Sequence, residues 1–547
     1  MALVLRPPHA PPPPPTALLP KPAGSWAQGG STNVVFIYAS LLKDGRVLGW
    51  SNGYDAEQFG GAGDVWGTAA YWAPGNSSKR VLPGCGMHGR LPGSDKCASS
   101  FCSGTVSTAT NELLIFGGHR GDGLGTLKRY NHAKRSIETV AMQSHRWYPG
   151  AVTLPDGRAM VVGGVTATSA AIYGANPRYN NPTYNIYDPD TRTFGGDQQD
   201  MSEQLLHTFP VSSYPVVTVL PTGKLAVLSG NTTYLYKKCG HWRYCKDGRL
   251  PDRPHPPWSS PQTGTGLPLP MYPPYNKLEL LAAGGTSVDY ARTYSTSASD
   301  KAHLIELTAG KNAAWRDVGP MPFPRVMGDG VIMCDGTIML TNGAQAGLAG
   351  WCQRAYNYTF TDGRPPFQCK SFCTCGRRFN YEPSLFDPVT RTWSKAGSVA
   401  PMKRPRLYHS SAILLPSCQV MTGGSDVTAD NTAEIFTPPY FDKGPQPKIR
   451  GCPDSLRHGA QFWVSYMSED PVTKALLIRA GTFTHSTLFD ARSLWLRIAG
   501  NDRARGRIKL KLPISRAVMP PGMYMLTLNT AKGVPSAARI ISICARC

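Results

Sequence analysis

A block recurs seven times along this 547-residue chain: an apolar strand, a tight turn, a second apolar strand, then a glycine-containing doublet. The second strands and their endings are Val47–Asn52, Leu113–Gly118, Ala159–Gly164, Leu225–Gly230, Leu278–Gly285, Ile338–Gly343 and Gln419–Gly424. Asp-Gly turns precede three of them, at Asp44-Gly45, Asp156-Gly157 and Asp335-Gly336, because that dipeptide readily takes the left-handed backbone of a tight hairpin. A further hairpin follows some doublets, as in Tyr187–Phe194 and Phe386–Trp393. One doublet alone is an ordinary turn. Repetition with flanking hairpins is a constraint on the whole fold.

A period of roughly 50 residues before insertions is that of four-stranded propeller blades. The expected fold is all-β: a seven-bladed kelch-type β-propeller over residues 31–435, followed by a C-terminal immunoglobulin-like β-sandwich over 436–547. After Thr437-Pro438-Pro439-Tyr440 the doublets stop and short alternating strands follow, among them Gln461–Tyr466, Leu494–Ile498 and Tyr524–Leu528, which fit a sandwich of that size. Residues 1–30, with the run from Pro7 to Pro15, read as a disordered Pro-rich tail. Insertions at Lys237–Tyr275 and Trp351–Tyr381 are expected to shape the mouth of a site.

The formal charge of +22 is spread along the chain, with short clusters at Lys237–Arg249 and Arg503–Lys511. That is a solvated basic surface. No nucleic-acid-binding motif accompanies it, so no nucleic-acid partner is expected, while attraction to an anionic polysaccharide stays open. Fourteen cysteines point to an oxidising compartment, with candidate local pairs at Cys85/Cys97, Cys239/Cys245 and the cluster Cys352, Cys369, Cys373 and Cys375. The C-x3-C-x-C spacing of that cluster lacks the second half a zinc site needs. Sequons at Asn76, Asn231 and Asn357 agree with a secreted glycoprotein. Secretion is therefore expected, although Met1–Leu5 is too short for a signal-peptide core. No apolar run reaches membrane-spanning length, so no membrane partner is expected.

The repeat also aligns the chain with itself. Fifteen residues before Gly117, Gly163, Ser229, Asn342 and Gly423 stand Cys102, Tyr148, Tyr214, Met327 and Tyr408. First strands of blades line a propeller's central channel, so these positions share a depth around one axis. Two tyrosines and a cysteine can meet there, and His409 follows Tyr408 directly. Singly, such residues are usually core. Together, imidazole and phenolate donors suit Cu(II), and a one-electron metal beside oxidisable phenols can move two electrons from a substrate to dioxygen.

The chain resembles the copper radical oxidases, glyoxal oxidase more closely than galactose oxidase. The resemblance runs from about residue 34 to the C-terminus and is carried by Phe101-Cys102-Ser103-Gly104, Arg146-Trp147-Tyr148, Arg325-Val326-Met327-Gly328-Asp329, Asn342-Gly343-Ala344 with Gly350-Trp351, Arg406-Leu407-Tyr408-His409-Ser410, Thr484-His485-Ser486, and Met519–Tyr524 with Gly533–Ser536. It implies one copper ion held by Tyr148, Tyr408, His409 and His485, and a protein-derived radical cofactor in which a thioether joins Cys102 to Tyr148. Tyr408 would be the axial ligand and the base for the substrate proton. His485 would enter the channel on a loop of the C-terminal domain. The cysteine-rich insertion after Trp351 departs from the family pattern, as does Pro416-Ser417-Cys418 where Pro-Asp-Gly is usual.

The implied activity is oxidation of simple aldehydes to carboxylic acids with release of hydrogen peroxide, dioxygen being the second substrate. An alcohol or carbohydrate oxidase of galactose oxidase type is the alternative, against which stands the missing N-terminal carbohydrate-binding domain. A kelch propeller that only binds partners is a third reading.

Overall fold

The computed structural model describes residues 22–51, 69–76, 87, 97–119, 123–167, 177–209, 213–254, 258, 263–286, 296–352, 356–358, 367–369, 373–425 and 430–544. Strands dominate, and among the described residues no helix is long and apolar enough to cross a membrane. Seven sheets are built from strands in sequence order. Their first strands are Tyr38–Leu41, Gly104–Ser107, Gly150–Thr153, Val216–Val219, Gly264–Pro268, Asp329–Ile332 and Ser410–Leu414. Each pairs antiparallel with a second strand that contains one of the recurrent apolar runs, from Val47–Trp50 to Val420–Gly424. All seven first strands are buried. The first of the seventh sheet packs against those of the first and sixth, and that of the third against those of the second and fourth.

Residues 25–30, expected in a disordered tail, are instead ordered. Ser25–Ser31 forms a strand paired antiparallel with Thr432–Thr437, so the chain start supplies the outer strand of the seventh sheet. The Trp26 ring packs on Phe436 at 5.0 Å, and its indole N–H donates to the Ala400 carbonyl at 2.8 Å. Those partners outweigh the Pro-rich composition upstream. The Lys237–Tyr275 segment is likewise less loop than expected. It holds Tyr244–Leu250, the last strand of the fourth sheet, and Gly264–Pro268, the first of the fifth. Within Trp351–Tyr381, Cys373–Phe379 pairs with Ala344–Cys352, while the side chains of the cysteine cluster lie outside the described residues.

After Lys448 two sheets share one apolar core. Lys448–Gly451, Gln461–Met467, Arg507–Lys511 and Arg497–Asp502 form one; Ser455–Arg457, Arg539–Cys544, Gly522–Thr530, Val472–Arg479 and Ser493–Trp495 form the other. Val464, Ile508 and Leu510 of the first meet Leu477, Leu526 and Ile541 of the second. Leu494–Ile498 is not the single strand expected: the chain changes sheets at Leu496, so Ser493–Trp495 and Arg497–Asp502 belong to opposite layers. From this region the hairpin Thr482–Thr484/Thr487–Phe489 leaves the sandwich and adds to the free edge of Tyr38–Leu41. It touches the first strands of six of the seven sheets.

The doublets are sites of close backbone approach. A Cβ on Gly343, at φ 82°, would lie 2.3 Å from the Val326 carbonyl oxygen, so a side chain there forces the strands apart. A buried cationic donor satisfies the carbonyl at four of these turns. Arg146 Nη1 donates to Gly163 O at 2.8 Å, Arg406 Nη1 to Gly424 O at 2.9 Å, Arg325 Nη1 to Asn342 O, and Lys128 Nζ to Gly117 O at 2.7 Å. Burial lowers the pKa of Arg146 to about 9 and that of Arg325 to about 10.

Two disulfides join described residues. Cys239–Cys245 is the local pair expected, and Cys334–Cys418 links positions 84 residues apart. The second explains the unusual Pro416-Ser417-Cys418 turn. Cys418 takes the left-handed conformation (φ 66°) that glycine would ordinarily supply, and its sulfur ties that turn to the Cys334-Asp335-Gly336 turn of the sixth sheet. Closing so long a loop stabilises a protein by about 2–4 kcal/mol. Replacing both cysteines by alanine is expected to lower the urea midpoint by a corresponding amount, and an unchanged midpoint would show that the bridge contributes no stability.

Candidate metal centre

Four of the positions set in register by the repeat are left-handed: Cys102 (φ 60°), Tyr148 (φ 59°), Tyr214 (φ 51°) and Met327 (φ 57°). For a residue with a Cβ this costs roughly 1–2 kcal/mol, and its recurrence marks a shared entry bend into each first strand. Backbone bonds knit the bends together, Tyr214 N–H to Tyr148 O at 2.7 Å and Tyr148 N–H to Cys102 O at 2.8 Å.

In the seventh block the left-handed residue is His409 (φ 64°), not Tyr408 as the count of fifteen placed it. The left-handed doublet there begins at Gly424 (φ 72°), one residue later than Gly423-Gly424 implies. Ser411 pairs with Gly423 as Gly150 pairs with Val162 and Asp329 with Thr341. The arginine latch confirms the shift, spanning 17 residues for Arg146 and Arg325 but 18 for Arg406. One extra residue between Arg406 and its strand lets both Tyr408 and His409 reach the centre.

His485 arrives on the inserted hairpin. Thr484 pairs with Thr487, so His485 (φ 47°) and Ser486 (φ 61°) are its two turn residues, both left-handed as a type I′ turn requires. The turn lacks the usual Asn-Gly, which is strain retained where the imidazole is presented. The Thr484 hydroxyl fixes that ring: it donates to Ile37 O at 2.8 Å, so at 2.6 Å from His485 Nδ1 it can only accept. Nδ1 therefore carries the proton and Nε2 turns a lone pair toward the centre, 3.6 Å from Cys102 Sγ.

The base of the hairpin is held by a buried ion pair. Arg479 Nη2 lies 2.7 Å from Asp490 Oδ2 and donates to Ser107 O (3.1 Å) and Thr153 Oγ1 (2.9 Å), while its Nη1 donates to Pro521 O at 2.9 Å. Asp490 accepts from the Thr153 amide at 3.1 Å and from the Thr153 hydroxyl at 2.5 Å.

The structure brings together all five residues singled out from sequence. The Tyr148 and Tyr408 hydroxyls are 2.9 Å apart. Cys102 Sγ and one ring nitrogen each of His409 and His485 lie within 4.8 Å of one another. The His485 ring centre is 4.6 Å from that of His409, 5.4 Å from Tyr148 and 5.3 Å from Tyr408. All five are buried. Burial holds both imidazoles well below the ordinary histidine pKa, and His485 is lowered further by His409. Two neutral imidazoles and two phenols, all buried, are a donor set that fits copper.

Other side chains complete the surroundings. Trp147 stacks on Tyr148 at 4.2 Å, and Phe101 meets the rings of His409 (5.1 Å) and His485 (6.2 Å). Tyr214, in register but with no role expected from sequence, lies 5.0 Å from Tyr148 and 5.3 Å from His485. Its hydroxyl is 3.5 Å from that of Tyr38, and burial raises both phenols above the ordinary tyrosine pKa. Its register with Tyr148 was the available signal. Thr484 is marked only as the neighbour of His485 in the Thr484-His485-Ser486 segment, while Tyr38, Arg479 and Asp490 carry no such signal, because their contacts at the site are with chain remote in sequence. Asp329, pushed up to about 7 by burial, accepts from Asn342 Nδ2 (2.6 Å) and from the hydroxyl of Ser410 (3.2 Å), next to His409.

Residues 96–361 match the family model of the glyoxal oxidase N-terminus, and residues 446–543 that of the galactose oxidase-like early set domain. An aldehyde oxidase GLOX of Vitis pseudoreticulata is 26% identical, over 74% of this chain and 73% of that protein. Aldehyde oxidase GLOX1 of Arabidopsis thaliana is 27% identical, over 81% and 71%, and a galactose oxidase of Gibberella zeae 26%, over 91% and 67%. A fungal alcohol oxidase of the AA5 family, solved in complex with copper, superposes with a TM-score of 0.69 at 18% identity, over 95% of this chain and 99% of that one, which shows a common fold. With that fold, that donor set and those relatives, the chain belongs to the copper radical oxidase family and is an oxidoreductase.

Partners that orient a ligating histidine typically contribute 10–100-fold to metal affinity. Thr484→Val, which keeps the side-chain shape and removes the acceptor for Nδ1–H, is expected to weaken copper binding by about that factor in a chelator competition. An unchanged affinity would show that the hydroxyl does not orient His485.

Proposed function

We propose that this chain is a glyoxal oxidase-type enzyme that oxidises simple aldehydes of the glyoxal and methylglyoxal kind to carboxylic acids while reducing dioxygen to hydrogen peroxide. The observation that carries the reading is the buried meeting of two phenols 2.9 Å apart with two neutral imidazoles and Cys102. The seven meandering sheets are, in this reading, the blades of one propeller over residues 31–435, closed by Ser25–Ser31, with residues 436–547 as the sandwich whose hairpin fills the channel. The described disulfides suit an extracellular enzyme.

Tyr148, Tyr408, His409 and His485 would hold the metal, and bound copper supplies the one-electron chemistry that couples substrate to dioxygen. The electron balance is simple. An aldehyde hydrate loses two electrons and two protons to become the carboxylic acid, and dioxygen gains both to become hydrogen peroxide. Tyr408 is the base for the substrate hydroxyl proton, its oxygen at hydrogen-bonding distance from Tyr148. Tyr148 is the redox-active phenol, and a thioether to Cys102 lowers the energy needed to oxidise it. The Tyr148 amide bond to the Cys102 carbonyl supports that pairing.

The relatives named as aldehyde oxidases favour aldehydes as substrates. The galactose oxidase relative favours an alcohol or carbohydrate instead, and a panel of glyoxal, methylglyoxal, galactose and simple alcohols separates the two.

Copper-loaded, oxidised protein is expected to release peroxide from aldehydes, and metal-free protein to release none. Peptides holding Cys102 and Tyr148 should stay joined after full reduction, two hydrogens lighter than the separate pair. Cys102→Ala is expected to keep the fold and lose most activity. Active enzyme with an alkylatable Cys102 would overturn the thioether and leave that sulfur as a thiolate donor beside the two histidines.

A further inference from the structure

The outer layer of the C-terminal sandwich presents a cationic face with an aromatic centre, far from any role in the oxidation site. Strand alternation decides which residues it shows. Along Gln461–Met467, Phe462, Val464 and Tyr466 are buried in the core, so Trp463 and Met467 point outward, with 39% and 56% of their surface exposed. On the neighbouring strand Ile508 and Leu510 are buried, so Arg507, Lys509 and Lys511 point outward at intervals of about 7 Å. Lys448 and Arg450 on one edge strand and Arg497 on the other are exposed as well.

Six cations therefore share the sheet face that presents the Trp463 indole, two of them beside its ring, and among the described residues none of the six forms an ion pair. The Arg507 guanidinium lies 4.8 Å and the Lys509 ammonium 6.0 Å from the Trp463 ring centre, while Arg450 donates to the Met467 sulfur at 2.8 Å. At the end of the layer a cleft of about 730 Å³ continues the surface, with Lys448, Met467, Arg503 and Arg505 in its lining; its acidic members are Glu469 and Asp470, and Asp470 is neutralised by Lys532 at 2.9 Å.

We propose that this face docks an anionic polysaccharide of the polyuronate class. Regularly spaced cations match a chain that carries one carboxylate per sugar, since guanidinium binds carboxylate in a two-point geometry. The indole adds what a purely electrostatic surface lacks, an apolar ring against which a sugar's C–H face can pack. Charge complementarity of this kind steers a polyanion to the surface before close contact forms. The face is one side of a four-stranded sheet with a row of cations along an inner strand, and such a row suits an extended polymer. Docking there would hold the oxidase on an acidic cell-wall or mucilage-like matrix while its catalytic centre turns over small soluble substrates.

The test is affinity electrophoresis and pull-down of the full chain with polygalacturonate, with dextran, duplex DNA and phosphatidylserine vesicles as comparison probes. The expected result is retardation by polygalacturonate and not by dextran, weakened at least tenfold by Trp463→Ala and, separately, by Arg507→Gln/Lys509→Gln, with circular dichroism and oxidase turnover on a small aldehyde unchanged in both. Binding that survives Trp463→Ala, or equal binding to DNA or to the vesicles, would overturn the proposal and leave a generic polycationic surface. The binding readout does not depend on copper, so it stands or falls separately from the oxidase reading.

Discussion

The buried contact between Arg479 and Asp490 ties the base of the hairpin that carries His485 to the first strands of the second and third sheets. Arg479 ends a sandwich strand, Asp490 follows the hairpin, and their partners Ser107 and Thr153 lie on the inner strands of the second and third sheets. An arginine and an aspartate removed from water in this way are stable only when each charge is matched; breaking such a pair leaves an unpaired buried ion at a cost of about 3–5 kcal/mol. The clamp fixes where the hairpin enters, and the hairpin fixes His485. Without the hairpin the two phenols and His409 would lack the second imidazole beside them.

Around that hairpin the first strands solve a second problem, the crowding of backbone where each chain segment bends into its sheet. Glycine doublets relieve the clash, and buried cations satisfy the carbonyls that the bends would strand. The same bends force left-handed conformations on Cys102, Tyr148, Tyr214, Met327 and His409. Strain and the candidate site coincide there, because the bends that cost backbone energy include those that bring Cys102, Tyr148 and His409 together. One additional residue after Arg406 converts a single inward position into two adjacent ones, Tyr408 and His409. The centre thus depends on an irregularity in an otherwise regular repeat.

Much of the fold was legible because a repeat carries its own alignment: the apolar second strands and the Asp-Gly turns recur where the sheets form, and Asp188 and Asp387 cap equivalent hairpins by accepting from the amides two residues on, at 2.9 and 2.8 Å. What misled was local composition read without partners. Ser25–Ser31 looked like the end of a proline-rich tail and is a strand because Thr432–Thr437 offers it an edge. Leu494–Ile498 looked like one strand and is two, because alternation alone cannot reveal a change of layer.

The sequence by itself determined the all-β class of architecture and singled out the five side chains that come together, since glycine spacing and side-chain type are written in the chain. Only the tertiary structure decided how those donors meet. The tautomer of His485 rests on Ile37 and Thr484, the disulfide Cys334–Cys418 joins turns of neighbouring sheets, and Tyr38 and Tyr214 enter the surroundings of the centre through contacts across 176 positions. Each of these is a relation between residues brought together by the packing of the sheets, and a one-dimensional pattern holds no record of distances that exist only after the chain has folded.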